Sequence, residues 1–485
     1  MIIKMNSIFK SALSAIVIGG LLFFTACKED PELPDNLVTF ESDQLGISPD
    51  ESELEIVVRL SRATTESGEV VLDVEENGLV YGSTYTTDPA VEGNLITIPV
   101  AAGSTEVSFT VSKVATVGYD GSENLVFTIL EVPEALVIGE QQQLTLSFGE
   151  ILATAGQMEI NGGGATYGNK VFIDLSRNRQ TAVARTSWDL GFYAGDDFRV
   201  ILNSSNGMMA YALDKTDLTA VTNADTAVLR NRLSYEAVFA AINVPPGSPV
   251  PTWTAQAFAW LDDPTGDLTK TAISSISATA TENKVYIINR GNGVGSPAPA
   301  LGWKKIRVVR NGNGYTLQHA DINSTTFSEI QITKNGAYEF NYVSFLSGAA
   351  TVEPARTSWD IAWTHFGNTT NFGSGPVPYY FPDVVLQNRV GVEAVQILAT
   401  TEITYENFSE GNLTTLEFGA QNQLKIGTNW RASGGPSGGA TLRTDRFYII
   451  KDADGNYYKL KFTAITTGGE RGRPQIEYAL VKRAS

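Results

Sequence analysis

Cysteine is nearly absent: the 485 residues contain one, Cys27. That excludes a disulfide framework, so stability has to come from packed cores and strand pairing. No further thiol is present to serve as a nucleophile. Histidine is almost as scarce, with two, and His319 and His365 do not form the His-x-x-x-His spacing of a zinc site. Lys and Arg number 35 against 53 Asp and Glu, a net charge of −18 with no basic stripe, which excludes nucleic acid as a partner. The Gly-rich runs at 162–164 and 434–435 do not lie between a parallel strand and a helix, so they do not read as phosphate loops. Long apolar runs are missing beyond Ala15 to Phe24, so nothing later in the chain reads as a membrane-spanning helix. The many carboxylates leave a glycosidase pair open. The other signatures of catalysis are absent, and the chain is expected not to be an enzyme.

The start of the chain combines Lys4 and Lys10, the apolar run, and Thr25-Ala26-Cys27. Charge, apolar stretch and small residues in that order are a signal peptide, 1–27. It resembles the bacterial lipobox, with Phe24 where Leu is commoner, which implies that Cys27 is lipidated and that the mature chain is anchored to a membrane through lipid. Lys28-Glu29-Asp30 is similar to the surface-export signal of Bacteroidota lipoproteins, implying an outer-membrane protein facing the cell exterior. Residues 28–36, with Pro31 and Pro34, read as a solvated tether.

The remaining length holds about three domains at roughly 150 residues each. High Gly content, 45 residues, and recurrent short β-branched runs favour an all-β, mostly antiparallel chain. Residues 37–149 alternate apolar and polar in stretches such as Leu54-Glu-Ile56-Val-Val58-Arg-Leu60 and Val107-Ser-Phe109-Thr-Val111. Seven or so short strands with turns between them predict a β-sandwich. Val38-Thr-Phe40-Glu41, Gly82-Ser-Thr-Tyr85-Thr-Thr-Asp88-Pro89 and Glu123-Asn-Leu-Val-Phe127-Thr-Ile-Leu130 resemble a Calx-beta domain. The resemblance implies a Ca²⁺ site, with Glu41, Asp88, Asp120 and Glu123 as candidate ligands. Ca²⁺ takes six to eight oxygens, and these acids are dispersed in sequence, which favours acidic loops that keep a spacer soluble.

Beyond a linker at 149–156, the chain repeats itself. Arg185-Thr186-Ser187-Trp188-Asp189 recurs as Arg356-Thr357-Ser358-Trp359-Asp360, offset by 356 − 185 = 171 residues. Val285-Tyr286-Ile287-Ile288-Asn289 corresponds to Phe447-Tyr448-Ile449-Ile450-Lys451, offset by 448 − 286 = 162. Lys305-Ile306-Arg307-Val308 corresponds to Lys459-Leu460-Lys461-Phe462, offset by 459 − 305 = 154. Landmarks in the same order define a tandem duplication, 157–323 and 329–485. Leu229 to Ile242, ending before Pro245-Pro246, reads as a short helix, and Pro376 to Pro382 as a loop. Strand parity makes Trp188 and Trp359 core anchors, with the adjacent Asp capping a turn or pairing with Arg.

The Arg-Thr-Ser-Trp-Asp box, followed by Phe447-Tyr448-Ile449-Ile450, a Gly turn and Tyr458-Lys459-Leu460-Lys461-Phe462, resembles the HmuY family in two copies. The resemblance implies a β-rich surface lipoprotein that binds haem, or takes it from haemoproteins, and works with an outer-membrane transporter. Haem iron takes His, Met, Cys or Tyr ligands, and the candidates here are His319, His365, Met208 and Met209. Met208 and Met209 are adjacent, so at most one reaches a given pocket. The counterpart of His365 in the first copy is Ala194, so the copies differ at this position. The alternative is an adhesive or glycan- or protein-binding module in which the repeats keep only the fold. Tyr379-Tyr380-Phe381 and Trp430 would then supply the apolar surface.

Overall fold

The computed structural model describes residues 35–49, 51–245, 248–372, 375–419, 422–433 and 439–484. Cys27, its signal peptide, most of the tether, Pro246 and Gly434-Gly435 lie outside the described residues. Among the described residues no helix is long and apolar enough to cross a membrane.

The first ten strands build a sandwich of two five-stranded sheets. They are β1 (Leu37–Phe40), β2 (Gln44–Gly46), β3 (Glu53–Leu60), β4 (Gly68–Asn77), β5 (Tyr85–Asp88), β6 (Leu95–Val100), β7 (Glu106–Lys113), β8 (Asn124–Glu131), β9 (Val137–Ile138) and β10 (Gln143–Ser147). One sheet runs β5-β7-β3-β1-β9 and the other β2-β10-β8-β4-β6. The alternation seen in the sequence is the burial pattern: Val107, Phe109 and Val111 of β7 point inward, and Phe109 meets Phe127 of β8 edge-on with centroids 4.9 Å apart. Burying each such side chain contributes about 1.5–3 kcal/mol.

Among the described residues the duplicated region contributes twenty more strands. Its first half holds β11 (Ala155–Glu159), β12 (Asn169–Asp174), β13 (Arg179–Ala184), β14 (Leu190–Tyr193), β15 (Val200–Leu202), β16 (Met209–Ala212), β17 (Tyr286–Asn289), β18 (Trp303–Asn311) and β19 (Gly314–Ala320). Its second half holds β20 (Ser328–Ile332), β21 (Phe340–Ser344), β22 (Gly348–Ala350), β23 (Ile361–Asn371), β24 (Pro376–Gln387), β25 (Glu393–Leu398), the short pair β26 (Arg431–Ala432) and β27 (Thr441–Leu442), β28 (Arg446–Lys451), β29 (Tyr457–Ala464) and β30 (Gln475–Lys482).

The two halves exchange their leading strands. The sheet β16-β17-β18-β19-β20 has its equivalent in β25-β28-β29-β30-β11, where β11 comes from the first half. The sheet β15-β14-β21-β22 has its equivalent in β24-β23-β12-β13. Ile173 of β12 pairs with Ile361 of β23, and Val343 of β21 pairs with Leu190 of β14. Each hairpin therefore completes a sheet of the other copy.

Two local expectations change. Pro376 to Pro382 is strand, because β24 lies at a sheet edge, where a missing N–H costs no ladder bond. The helix expected from Leu229 is shorter: a 3₁₀ turn, Leu229–Asn231, precedes helix α1, Tyr235–Ile242, capped by the Ser234 hydroxyl.

The sandwich is docked against the duplicated region, and Asn36–Ser485 forms one compact unit. Asn178, at the tip of the β12–β13 hairpin, donates to Asp43 Oδ1 at 2.8 Å and to the Gln44 carbonyl at 3.0 Å. Arg179 holds Glu51 at 2.7 Å and the Gly46 carbonyl at 2.8 Å. Arg473 donates to the Leu60 carbonyl. Polar pairing of this kind holds the sandwich against the duplicated region.

Candidate functional site

The boxes are the joints of the exchange. Trp188 packs edge-on against Tyr342 of the other copy, centroids 4.7 Å apart, and Trp359 against Phe172 at 5.1 Å, both at 77°. The Asn203 amide donates to the carbonyls of Arg185 and Trp188, and Asn388 does the same for Arg356 and Trp359. Asp189 is wholly buried and pairs with Arg290 at 2.7 Å. Asp360 caps the amide of Leu175 at 2.8 Å. These side chains hold the fold.

Past the end of the second box, β23 and β24 go out of register between Thr364 and Phe366. One residue, His365, there faces two, Pro382 and Asp383, and Asp383 takes the left-handed conformation at φ +56°. Bulges of this kind re-aim side chains. The His365 ring lies between Tyr167 at 4.5 Å and Tyr380 at 4.9 Å. The stack continues to Trp363, 5.6 Å beyond Tyr167, and to Tyr235 of α1, 5.7 Å beyond Tyr380. A Cβ at Gly367 would collide with the Tyr235 hydroxyl, so glycine at this position is what lets the column form. Tyr167 is itself left-handed, at φ +53°, and its carbonyl is held by Arg185 at 2.8 Å.

Charge surrounds this column. Asp383 is fully buried and bound by Arg431 at 3.1 Å and by Arg471. Burial still outweighs the two guanidinium groups and raises the Asp383 pKa. Burial, then Asp383, pushes Tyr167 up to about 12, so Tyr167 is a neutral phenol. Burial, then Arg185, Arg431 and Arg471, pushes His365 down to about 3. Its imidazole is therefore neutral, the form that binds metals. Among the described residues, His365 Nδ1, Trp363 Nε1 and Asp383 Oδ1 are buried and have no hydrogen-bond partner. Unpaired buried polar atoms are costly, and their clustering marks a site.

The other candidates lie apart from this column. His319 of β19 is 9% exposed and rests on Phe345, centroids 5.4 Å apart; burial, then Lys304, lowers its pKa. Met208 packs with Phe192 and Tyr315 in one core, and Met209 with Val238 and Ile287 in another. Trp430 is 1% exposed and stacked on Phe462 at 4.2 Å, so it offers no surface to a partner. In the sandwich, Glu41 is committed to Arg59 at 2.6 Å. Asp88 is exposed in β5, and Asp120 and Glu123 share one turn, where Glu123 accepts the amide of Gly121 at 3.0 Å. Among the described residues no group of three or more His, Cys, Asp or Glu could hold a metal ion.

The family described as HmuY protein matches residues 166–342 and again 337–478, together well over half of the chain. The chain belongs to the HmuY family. The two matches meet at β21, within the segment that this HmuY chain exchanges between its copies. No curated protein matches it. The sandwich places this chain near the apo form of the Calx CBD1 domain, at 13% identity and TM-score 0.21, covering 24% of this chain and 97% of that one. It is also similar to a two-domain protein of unknown function from Bacteroides fragilis, at 12% identity and TM-score 0.18, covering 46% of this chain and 79% of that one. A protein of unknown function from Bacteroides ovatus aligns over 93% of both chains at 8% identity and TM-score 0.16.

Proposed function

We propose that this HmuY chain is a surface-displayed, lipid-anchored capture protein that binds haem or a related ligand at the Tyr167–His365–Tyr380 column and passes it to an outer-membrane transporter. HmuY proteins are surface-associated binding proteins, and Cys27 supplies the expected anchor. The reading is carried by His365, a neutral imidazole with a buried, unpartnered Nδ1 between two aromatic rings. Imidazole is a common haem ligand, and flat aromatic walls suit a porphyrin. Arg431 and Arg471 face the single carboxylate of Asp383, leaving positive charge for a propionate. Haem entry at His365 requires one tyrosine ring to leave the stack. Titration of the purified chain with haemin tests the reading. A Soret shift at micromolar haemin that His365→Ala removes and His319→Ala keeps is the expected result. No shift in the parent chain overturns it.

A second reading has its own observation. Phe239, Phe372, Tyr379 and Phe381 form a chain of ring contacts at 5.6, 5.4 and 4.7 Å, with Phe372 56% exposed. Exposed aromatic rings suit the faces of sugars or an apolar protein patch. A glycan array in which Phe372→Ala loses the signal would favour this adhesive role.

A further inference from the structure

The exchange of strands leaves a cavity of about 70 Å³ between the two boxes, walled by Trp188, Trp359, Phe340 and Tyr342. Both copies line it, and its lining includes none of Tyr167, His365 and Tyr380, although Ser205, which accepts the Tyr380 hydroxyl, borders both. Most of its polar groups are internally satisfied. Arg389 pairs with Glu339 at 3.1 Å. Glu353 accepts the amides of Glu339 and Phe340 and the Tyr342 hydroxyl. Asp262 accepts the amides of Leu202 and Ala272.

Three lining groups are not satisfied. The Lys170 ammonium lies over the Phe172 ring at 4.8 Å and has no hydrogen-bond acceptor among the described residues. Trp188 Nε1 and Gln387 Oε1 are buried without a partner among the described residues, on residues that are each 3% exposed. The fold does not require two of these groups. Leu175 and Phe345 occupy the same place relative to the box aspartates, which makes Phe340 the counterpart of Lys170. Asn203 and Asn388 clamp the boxes alike, which makes Leu202 the counterpart of Gln387. Phe340 and Leu202 are apolar and line the same cavity, so its two sides differ and the polar groups lie on one of them.

Their chemistry defines an occupant. An ammonium and an indole N–H together suit a carboxylate. An amide oxygen needs a donor. Five carboxylates line the cavity (Asp262, Asp263, Asp267, Glu339 and Glu353); Lys270 pairs with Asp267 and Arg389 with Glu339, which leaves Asp262, Asp263 and Glu353 against Lys170, and that acidic excess favours a positively charged donor. At roughly 10–15 Å³ for each enclosed water, the volume holds about five waters, or a molecule of about five or six non-hydrogen atoms. We propose that the cavity between the two tryptophan boxes binds a small zwitterionic amino acid, its carboxylate on Lys170 and Trp188 and its ammonium on Gln387.

Isothermal titration of the full chain with glycine and alanine tests this. Binding is expected for both, with acetate and methylamine, each bearing one of the two charges, at least about ten-fold weaker. Lys170→Met should abolish glycine binding. Gln387→Leu, which installs the residue of the other copy, should weaken it about ten-fold. Unchanged far-ultraviolet circular dichroism of both variants separates lost binding from lost fold, and an unchanged haemin titration separates this site from His365. No heat with millimolar glycine, acetate binding as well as glycine, or glycine binding that survives Lys170→Met would each overturn the proposal. So would a crystal structure from a glycine soak that shows only water in the cavity.

Discussion

Asp189 accepts the backbone amide of Phe345 at 2.7 Å, reaching from the first copy of the duplication into the β21–β22 turn of the second. Asp360 returns the contact, accepting the amide of Leu175 at 2.8 Å. The repeated box thus ties each copy to the exchanged hairpin of the other. The two aspartates differ in what balances them. Asp189 meets Arg290 in a two-bond fork, at 2.7 and 3.2 Å. At the position equivalent to Arg290 the second copy has Asp452.

Removing Arg290 should therefore be severe. Arg290→Leu leaves the Asp189 charge buried and without its ion partner, which costs about 3–5 kcal/mol. Adding Asp189→Asn should restore part of that, because the amide oxygen still accepts from Phe345. Urea unfolding monitored by tryptophan fluorescence measures both. A loss below about 1 kcal/mol in the single variant would show that the fork is not structural.

The copies should not fold alone. Residues 329–484 lack β11, β12 and β13, leaving the edges of β30 and β23 unpaired. Unpaired edges drive association. Expressed alone, this segment is expected to self-associate. Expressed together with residues 36–328, it should give a one-to-one complex by light scattering. A monomeric isolated copy with a cooperative thermal transition would contradict the exchange as the basis of stability.

The sequence reveals the duplication, the sandwich and most strands because each rests on local alternation or on repeated words. It hides the exchange: the pairing of β12 with β23 and of β14 with β21 is equally compatible with alternation in either copy. It misplaces Pro376 to Pro382, since proline argues against strand everywhere except at an edge, and edges are a property of topology. Of the candidate ligands, His365 is marked by its chemistry and by its Ala194 counterpart. Tyr167, Asp383, Arg431 and Arg471 are not, because a left-handed tyrosine and a bulged aspartate leave no local pattern. Met208 and Met209 are candidates by chemistry alone, and packing takes both.

Stability should also depend on pH through the second box. Asp360, Asp174 and Asp452 are 3%, 8% and 3% exposed. Burial raises all three pKa values, and Asp174 raises that of Asp360 further. A carboxylate whose folded pKa exceeds its unfolded value favours the folded state in acid, and that contribution is lost as pH rises through the folded pKa. Asp174→Asn keeps the oxygen that accepts from Ser176 and Arg177 and removes one charge facing Asp360. It should stabilise the chain by about 1 kcal/mol at pH 8 and by little at pH 4. Equal effects at the two pH values would mean that the carboxylates do not interact.

Lipidation has a direct test. Cys27→Ala should move the protein from the membrane fraction to the soluble fraction, since no other candidate anchor is legible in the sequence. Continued partition into detergent would refute the anchor.

The His365 column makes the last prediction, and its sign opposes that of the second box. The folded pKa of about 3 lies below the usual histidine value, chiefly through burial. The contribution of a neutral His365 is complete above pH 6.5 and is lost as pH falls toward 3. His365→Phe preserves an aromatic ring between Tyr167 and Tyr380 and cannot protonate. The variant should therefore lose less stability than the parent chain between pH 7 and pH 4.5, by about 2 kcal/mol. In the parent chain, haemin binding through this imidazole should be flat from pH 8 to pH 5, because no proton competes for the ring in that range. A haemin affinity that falls with a midpoint near pH 6.5 would place the ligand on a solvated histidine, which excludes His365 as it sits in this column.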